Sequence, residues 1–123
     1  MDSSGASTRG DAAASQQGIL AAIARARVAD KRMQLAESLG DDVGLQIAYQ
    51  AILHNLFVIG EYVGGMPPEL LARDTDTPWG EIAGMRQLLG LNYHRIEPEV
   101  IHRTVEVDLG RLDAAVRRLQ GAQ

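Results

Sequence analysis

Between Asp42 and Val63 the chain carries the run IAYQAILHNLFVIGEYV, in which apolar side chains would occupy most of the circumference of a helix. A surface helix needs only one apolar stripe to face a core. A helix that is apolar nearly all round must be covered on at least two sides, by neighbouring helices or by a second subunit. This segment therefore has to be the strut around which everything else packs. The chain has 123 residues, enough for one domain with a single core and too few for two. Hydrophobic residues make up 46% of it and aromatics 4%, so that core must come from Leu, Ile, Val and Ala, as in packed helices.

The segments on either side read the same way. From Gln17 to Leu39, Ile19, Leu20, Ile23, Val28, Leu35 and Leu39 form a broken apolar stripe among Arg, Lys and Asp, which predicts a helix. Gly40-Asp41-Asp42 supplies a stop and then an N-cap for the central helix. Gly64-Gly65-Met66-Pro67-Pro68 ends that helix, and a short helical turn follows over Glu69 to Arg73. Thr77-Pro78 is a start signal, a capping hydroxyl and then a proline whose missing N–H costs nothing at the first helical position. The next helix carries Ile82, Met85, Leu88 and Leu89 and ends between Gly90 and Tyr93. The last opens at Glu97-Pro98 and carries Ile101, Val105, Leu109, Leu112, Val116 and Leu119 at spacings of three and four. No strand alternation competes. The expectation is an all-α, antiparallel bundle of about four principal helices spanning 17–120, behind a Ser-, Gly- and Ala-rich flexible tail over 1–16.

Charge and composition restrict the chemistry. Cysteine is absent, which excludes disulfides, thiolate metal sites and thiol nucleophiles. The N-terminus has no basic segment flanking an apolar run, so neither a leader nor a membrane anchor is expected, and the chain reads as cytoplasmic. At a formal net charge of -4, bulk attraction to polyanions is excluded, and any contact with nucleic acid must be local. Nearly all the positive charge is arginine, the side chain that grips phosphate in a planar, two-pronged geometry.

The chemistry-bearing stretch is Pro78 to Arg95, PWGEIAGMRQLLGLNYHR. At about 100° per residue, Arg86 and Tyr93 share a face if the helix persists that far. Glu61 follows Gly60, a place where two backbones can approach closely. An arginine, a tyrosine and a carboxylate converging near a helix end suit a phosphate ligand. The bland alternative is a structural Arg86–Glu61 ion pair between helices with a half-buried Tyr93 at a helix end. His54, in the apolar run, reads as an interface or core histidine, and His102 as a solvated one.

Ile59-Gly60-Glu61, preceded by Asn55 and followed by PWGEIAGMRQLL and Asn-Tyr, resembles the HepT-like toxins of the HEPN superfamily over about Gln17 to Leu119. The resemblance implies a homodimeric, metal-independent endoribonuclease without cofactor, acting as the toxin of a toxin–antitoxin pair. It implies as partner an MntA-like nucleotidyltransferase antitoxin that attaches AMP to a toxin tyrosine, here Tyr93. The family motif is arginine, four residues, histidine, one residue, tyrosine. On this chain Arg86 takes the arginine place and Tyr93 the tyrosine place, while Leu91 stands where the histidine belongs. Gln87 replaces the asparagine usual beside the arginine, keeping the amide on a longer stem.

Cleavage of RNA by the 2′-hydroxyl needs a base for that proton and an acid for the leaving oxygen, roles a histidine fills near neutrality. Arginine stays protonated and can stabilise only the charge on phosphate. Arg86 thus keeps the electrostatic half of the mechanism and Leu91 removes the proton-transfer half. His94 is the candidate substitute, but three residues of helix rotate a side chain by about 60° and move it roughly 4.5 Å, too far for an unchanged substrate pose. Two expectations follow. The chain is a toxin-type ribonuclease scaffold impaired by Leu91, or it is a catalytically dead relative serving as a dimeric binding module for a nucleotidyltransferase.

Overall fold

The computed structural model describes residues 4–90 and 96–121. Its helices are α1 (Ser4–Leu39), α2 (Asp42–Gly64), the short α3 (Pro68–Leu71), α4 (Trp79–Gly90), α5 (Pro98–Arg103) and α6 (Leu109–Gly121), with a π-helical turn over Thr104–Asp108 joining the last two into one rod. Among the described residues there is no strand, and the expected all-α bundle is what forms. Cross-helix contacts fix its sense. Gly18 of α1 lies under the Tyr62 ring of α2, and Arg25 bonds Asn55, so these two helices run antiparallel. Gly60 of α2 meets Ile82 and Arg86 of α4, while Tyr49 reaches Ile96, so α4 runs antiparallel to α2. Arg27 pairs with Asp113 and Asp30 with His102, which lays the last rod antiparallel along α1.

The turn between α1 and α2 is built as the sequence reads. Gly40 takes φ 68, in the left-handed region a glycine enters without strain. Its N–H bonds the Glu37 carbonyl (3.2 Å) and that of Asp41 bonds Ala36 (2.8 Å), the paired closure of a Schellman end. Asp41 then caps α2, accepting the Gly44 N–H at 2.9 Å.

Three details depart from the sequence reading. The helix expected from Gln17 begins at Ser4, and Ala12 and Gln16 are buried in it, so the boundary drawn after residue 16 falls inside a helix. Secondly, the stripe expected on α1 is two stripes. Ile19 and Ile23 are buried with Ala22, Ala26, Ala29, Met33 and Ala36 in a seam of small residues, while Val28, Leu35 and Leu39 face outward. Thirdly, the final helix is not uniform. Ile101, Val105 and Leu109 are separated by two successive spacings of four, which on an ordinary helix would carry the stripe about 80° around the axis. Underwinding over Thr104–Asp108 cancels that drift and leaves all three side chains in the core.

Helix α2 is long and apolar enough to cross a membrane, with a mean hydropathy of 1.3 over its best window. Here Ile52, Leu56, Ile59 and Val63 are instead buried in the bundle core, which joins α1, α2, Trp79 of α4 and the last rod.

Candidate functional site

The α2–α4 crossing places Arg86. A Cβ at Gly60 would stand 3.0 Å from the Arg86 backbone nitrogen and 3.1 Å from the Ile82 carbonyl oxygen, so a larger residue would have to push these two backbones apart by a few tenths of an ångström. Four residues on, one turn further along α2, the Arg86 guanidinium lies across Gly64, where a methyl group would collide with it. Arg86 is half-buried and makes no hydrogen bond or ion pair with any described residue. Glu61, three residues before Gly64 and so on the same face, is exposed. No ion pair joins it to Arg86, so the structural pairing of the bland reading is absent. A cation stands over two glycines with no bonded partner among the described residues, on a helix whose same face carries the exposed Glu61. That arrangement can receive an anion and a hydroxyl together.

The start of α4 is tied down by Asp74, which the sequence reading missed. Its carbonyl accepts the Trp79 indole N–H at 2.9 Å. Its carboxylate accepts the Thr77 hydroxyl at 2.7 Å and the Arg118 guanidinium of α6 at 3.1 Å. These bonds, the Thr77 hydroxyl foremost, hold the Asp74 pKa below its ordinary value of 3.8. Thr77 donates its hydroxyl to Asp74 and stands one residue outside the cap position, since α4 opens at Trp79. The Asp-Thr-Asp-Thr run ahead of the proline was the available signal, since Asp folds a turn onto the backbone two residues on. Trp79, so anchored, is buried in the core.

Beyond α4 the chain returns at Ile96. The buried Tyr49 hydroxyl donates to the Ile96 carbonyl (2.8 Å) and accepts its N–H (3.2 Å). Burial pushes the Tyr49 pKa above 10.0. This double bond fixes where the segment after the motif rejoins the bundle.

The remaining candidates separate. Leu91, Tyr93 and His94 lie outside the described residues. Gln87 is exposed on α4. Asn55 is buried and structural, its amide donating to the Ala51 carbonyl (2.8 Å) and its oxygen accepting from Arg25 (2.9 Å). His54 is exposed on the outer face of α2 and has no bonded partner among the described residues, so it is not a core histidine. His102, expected to be solvated, is bridged: Nδ1 lies 2.7 Å from Asp30 Oδ2 and Nε2 2.9 Å from Glu106. The Asp30 hydrogen bond, against some burial, raises its pKa above 6.5. Among the described residues no three His, Asp or Glu side chains converge to hold a metal ion.

Grooves open on the described surface. One of about 640 Å³ runs between α4 and the last rod, past Ile82, Met85, Thr104, Asp108 and Leu112. Another of about 690 Å³ runs between α1 and α2. Arg86 lines neither; it sits at an open helix crossing.

The family model described as "Ribonuclease HepT-like" matches residues 19–119. A protein of Caldanaerobacter subterraneus subsp. tengcongensis named "Putative RNase TTE0752" is 30% identical over 82 residues, covering 67% of this chain and 73% of that protein. No solved structure matches the chain.

Proposed function

The chain belongs to the HepT-like ribonuclease family, and from that premise we propose that it is the toxin-type endoribonuclease of a HepT/MntA-type toxin–antitoxin pair, in a form impaired by Leu91. The observation that carries the reading is Arg86, half-buried over Gly64 with no described partner. An arginine that stabilised only the fold would be paired. This one is positioned over Gly64 and has no partner among the described residues, as a group awaiting a phosphate would.

In this reading Arg86 donates two N–H groups to the scissile phosphate and stabilises the charge that builds on its oxygens during attack by the 2′-hydroxyl. Glu61, on the same face, holds a ribose hydroxyl by accepting its hydrogen bond. Gln87 offers an amide at the rim. No metal or cofactor takes part. Leu91 can neither accept nor donate the proton, and general acid–base help is worth about 10²- to 10⁴-fold, so cleavage by the chain as it stands is slow. The protein is a cytoplasmic homodimer, Arg86 and Tyr93 of both subunits lining a shared cleft. Tyr93 takes AMP from an MntA-like nucleotidyltransferase.

Leucine at the histidine position also favours a second reading, a scaffold without cleavage activity that binds the nucleotidyltransferase as a regulatory module. Expression of Leu91→His beside the unaltered chain separates the two. The toxin reading expects growth arrest and RNA degradation with histidine alone, and equal harmlessness favours the module. Intact mass after incubation with the nucleotidyltransferase and ATP should rise by one or more AMP units in a Tyr93-dependent manner. No gain removes that partner.

A further inference from the structure

Polar ties hold the last rod to α1 in both of its halves. Arg27 pairs with Asp113 of α6 at 3.3 Å, and Asp30 pairs with His102 of α5 at 2.7 Å. The first tie joins groups that keep their charges through the neutral range, whereas the second depends on a ring that titrates within it.

The ring has a partner for each of its protonation states. His102 Nε2 lies 2.9 Å from Glu106 Oε2, an acceptor that keeps a proton on that nitrogen whether the ring is charged or neutral. The nitrogen that titrates is then Nδ1. It has two neighbours on α1: Asp30 Oδ2, which accepts from a protonated Nδ1, and Gln34 Nε2 at 2.6 Å, which can donate only to a bare one. The same amide nitrogen lies 3.1 Å from Asp30 Oδ2 and 3.5 Å from the ring Nε2, so its two hydrogens reach the carboxylate as well as the ring.

Asp30 is where loss of the proton is felt. Its side chain is 8% exposed, and its Oδ1 has no hydrogen-bond partner among the described residues. A buried carboxylate is costly unless it is paired and hydrogen-bonded. Beside a charged ring Asp30 has a cation; beside a neutral one it keeps the Gln34 N–H. Asp30 and Glu106 are the charges that act on the ring. Of the other ionisable groups on the elements around it, Arg27 is bonded to Asp113, Tyr49 of α2 has its hydroxyl on Ile96, and Glu99 and Arg103 of α5 itself are exposed.

The helix after His102 is a weak joint. Thr104 turns its hydroxyl back onto the Val100 carbonyl at 3.1 Å, a bond that loosens and bends helices, and Thr104–Asp108 is π-helical, a rare geometry frequent at functional sites. Thr104 and Asp108 also wall the groove that faces α4.

We propose that His102 is a pH-sensitive clasp: loss of the Nδ1 proton exchanges Asp30 for Gln34 as the partner of that nitrogen and loosens α5 and the π-helical turn from α1, while Arg27 and Asp113 hold the α6 half. The groove wall formed by Thr104 and Asp108 moves with it. Neither Arg86 nor position 91 takes part, so the clasp stands or falls apart from the ribonuclease reading.

The test is a pH titration of the whole chain, followed by nitrogen-15 NMR of the imidazole and by amide hydrogen exchange corrected for its intrinsic pH dependence. The neutral ring is expected to carry its proton on Nε2. Protection of the amides over 99–108 should fall about two- to fivefold relative to those over 110–119 as the ring loses its charge. Gln34→Met, at an exposed position, should raise the ring pKa by about half a pH unit, because only the neutral form loses a donor. Asp30→Asn should lower it and abolish the pH-dependent loss of protection. A neutral ring protonated on Nδ1, a pKa that falls in Gln34→Met, or equal protection of both halves across the transition would each overturn the proposal.

Discussion

Arg86 and Gly64 form a pair in which one residue's lack of a side chain defines the other's position. A methyl group at Gly64 meets the far end of a flexible guanidinium and no backbone, so Gly64→Ala should fold with little change in thermal transition. It should nevertheless displace Arg86 and weaken RNA binding about as much as Arg86→Ala does. Unchanged binding by a Gly64→Ala protein of normal stability would remove Gly64 from the site. His102 carries a pH dependence whose sign is fixed by its partners. Asp30 and Glu106 favour the protonated ring in the folded state, raising its pKa above the 6.5 of the unfolded chain. The resulting stabilisation is full below about 6.5 and is lost as pH rises through the raised folded value. The transition temperature of the parent should therefore fall relative to that of His102→Gln over that rise, by a modest amount because the ring is a third exposed. Parallel pH profiles would contradict it. At this scale sequence reading anticipated the close backbone approach at Gly60, because a glycine inside an apolar helix has few other uses. It misread His102 as solvated, since bridging depends on the helix that packs against it, and of its two alternatives for His54 the structure removes the core one.

The helices themselves were largely legible. The α1–α2 turn was readable because Gly-Asp-Asp spells a left-handed stop followed by a cap, and the end of α2 because two glycines and two prolines cannot extend it. Helix α1 was read short and with one stripe too few: its core side is mostly alanine, which hydrophobic periodicity hardly registers, while Val28, Leu35 and Leu39 point away from the bundle. The π-helical turn is written in the spacing 101, 105, 109, yet underwinding is visible only once all three side chains are seen in the core. The knot at the head of α4 is the element most open to test. Asp74→Ala removes acceptors for Thr77 and Arg118 together, and should cost about 1–3 kcal/mol of stability, as loss of charge-assisted hydrogen bonds does. Because the Asp74 pKa is lowered, its contribution is present above 3.8 and lost as pH falls, so the parent and variant should converge in acid. Denaturant titrations of both proteins near neutrality and near pH 3 would decide it, with a difference persisting in acid counting against the carboxylate.

At the scale of the molecule, a bundle of helices exposes two kinds of surface. One is the α2–α4 crossing, where glycines present an arginine without a partner among the described residues, and the other is the outer hairpin face, where Val28, Leu35, Leu39, Val43 and Ile47 are exposed. Both were foreshadowed by the same run of sequence, since IAYQAILHNLFVIGEYV is apolar on more sides than one bundle can cover and also carries Gly60 and Glu61. In the proposed reading, what the chain lacks is a proton carrier at position 91, where it has leucine. Purified parent protein and Leu91→His, incubated with RNA in the presence of a metal chelator, give the most direct measure of that lack. The account predicts that the histidine protein cleaves roughly 10²- to 10⁴-fold faster than the parent and loses that gain when Arg86→Ala is added. Equal rates for parent and Leu91→His, or a gain that survives without Arg86, would contradict it.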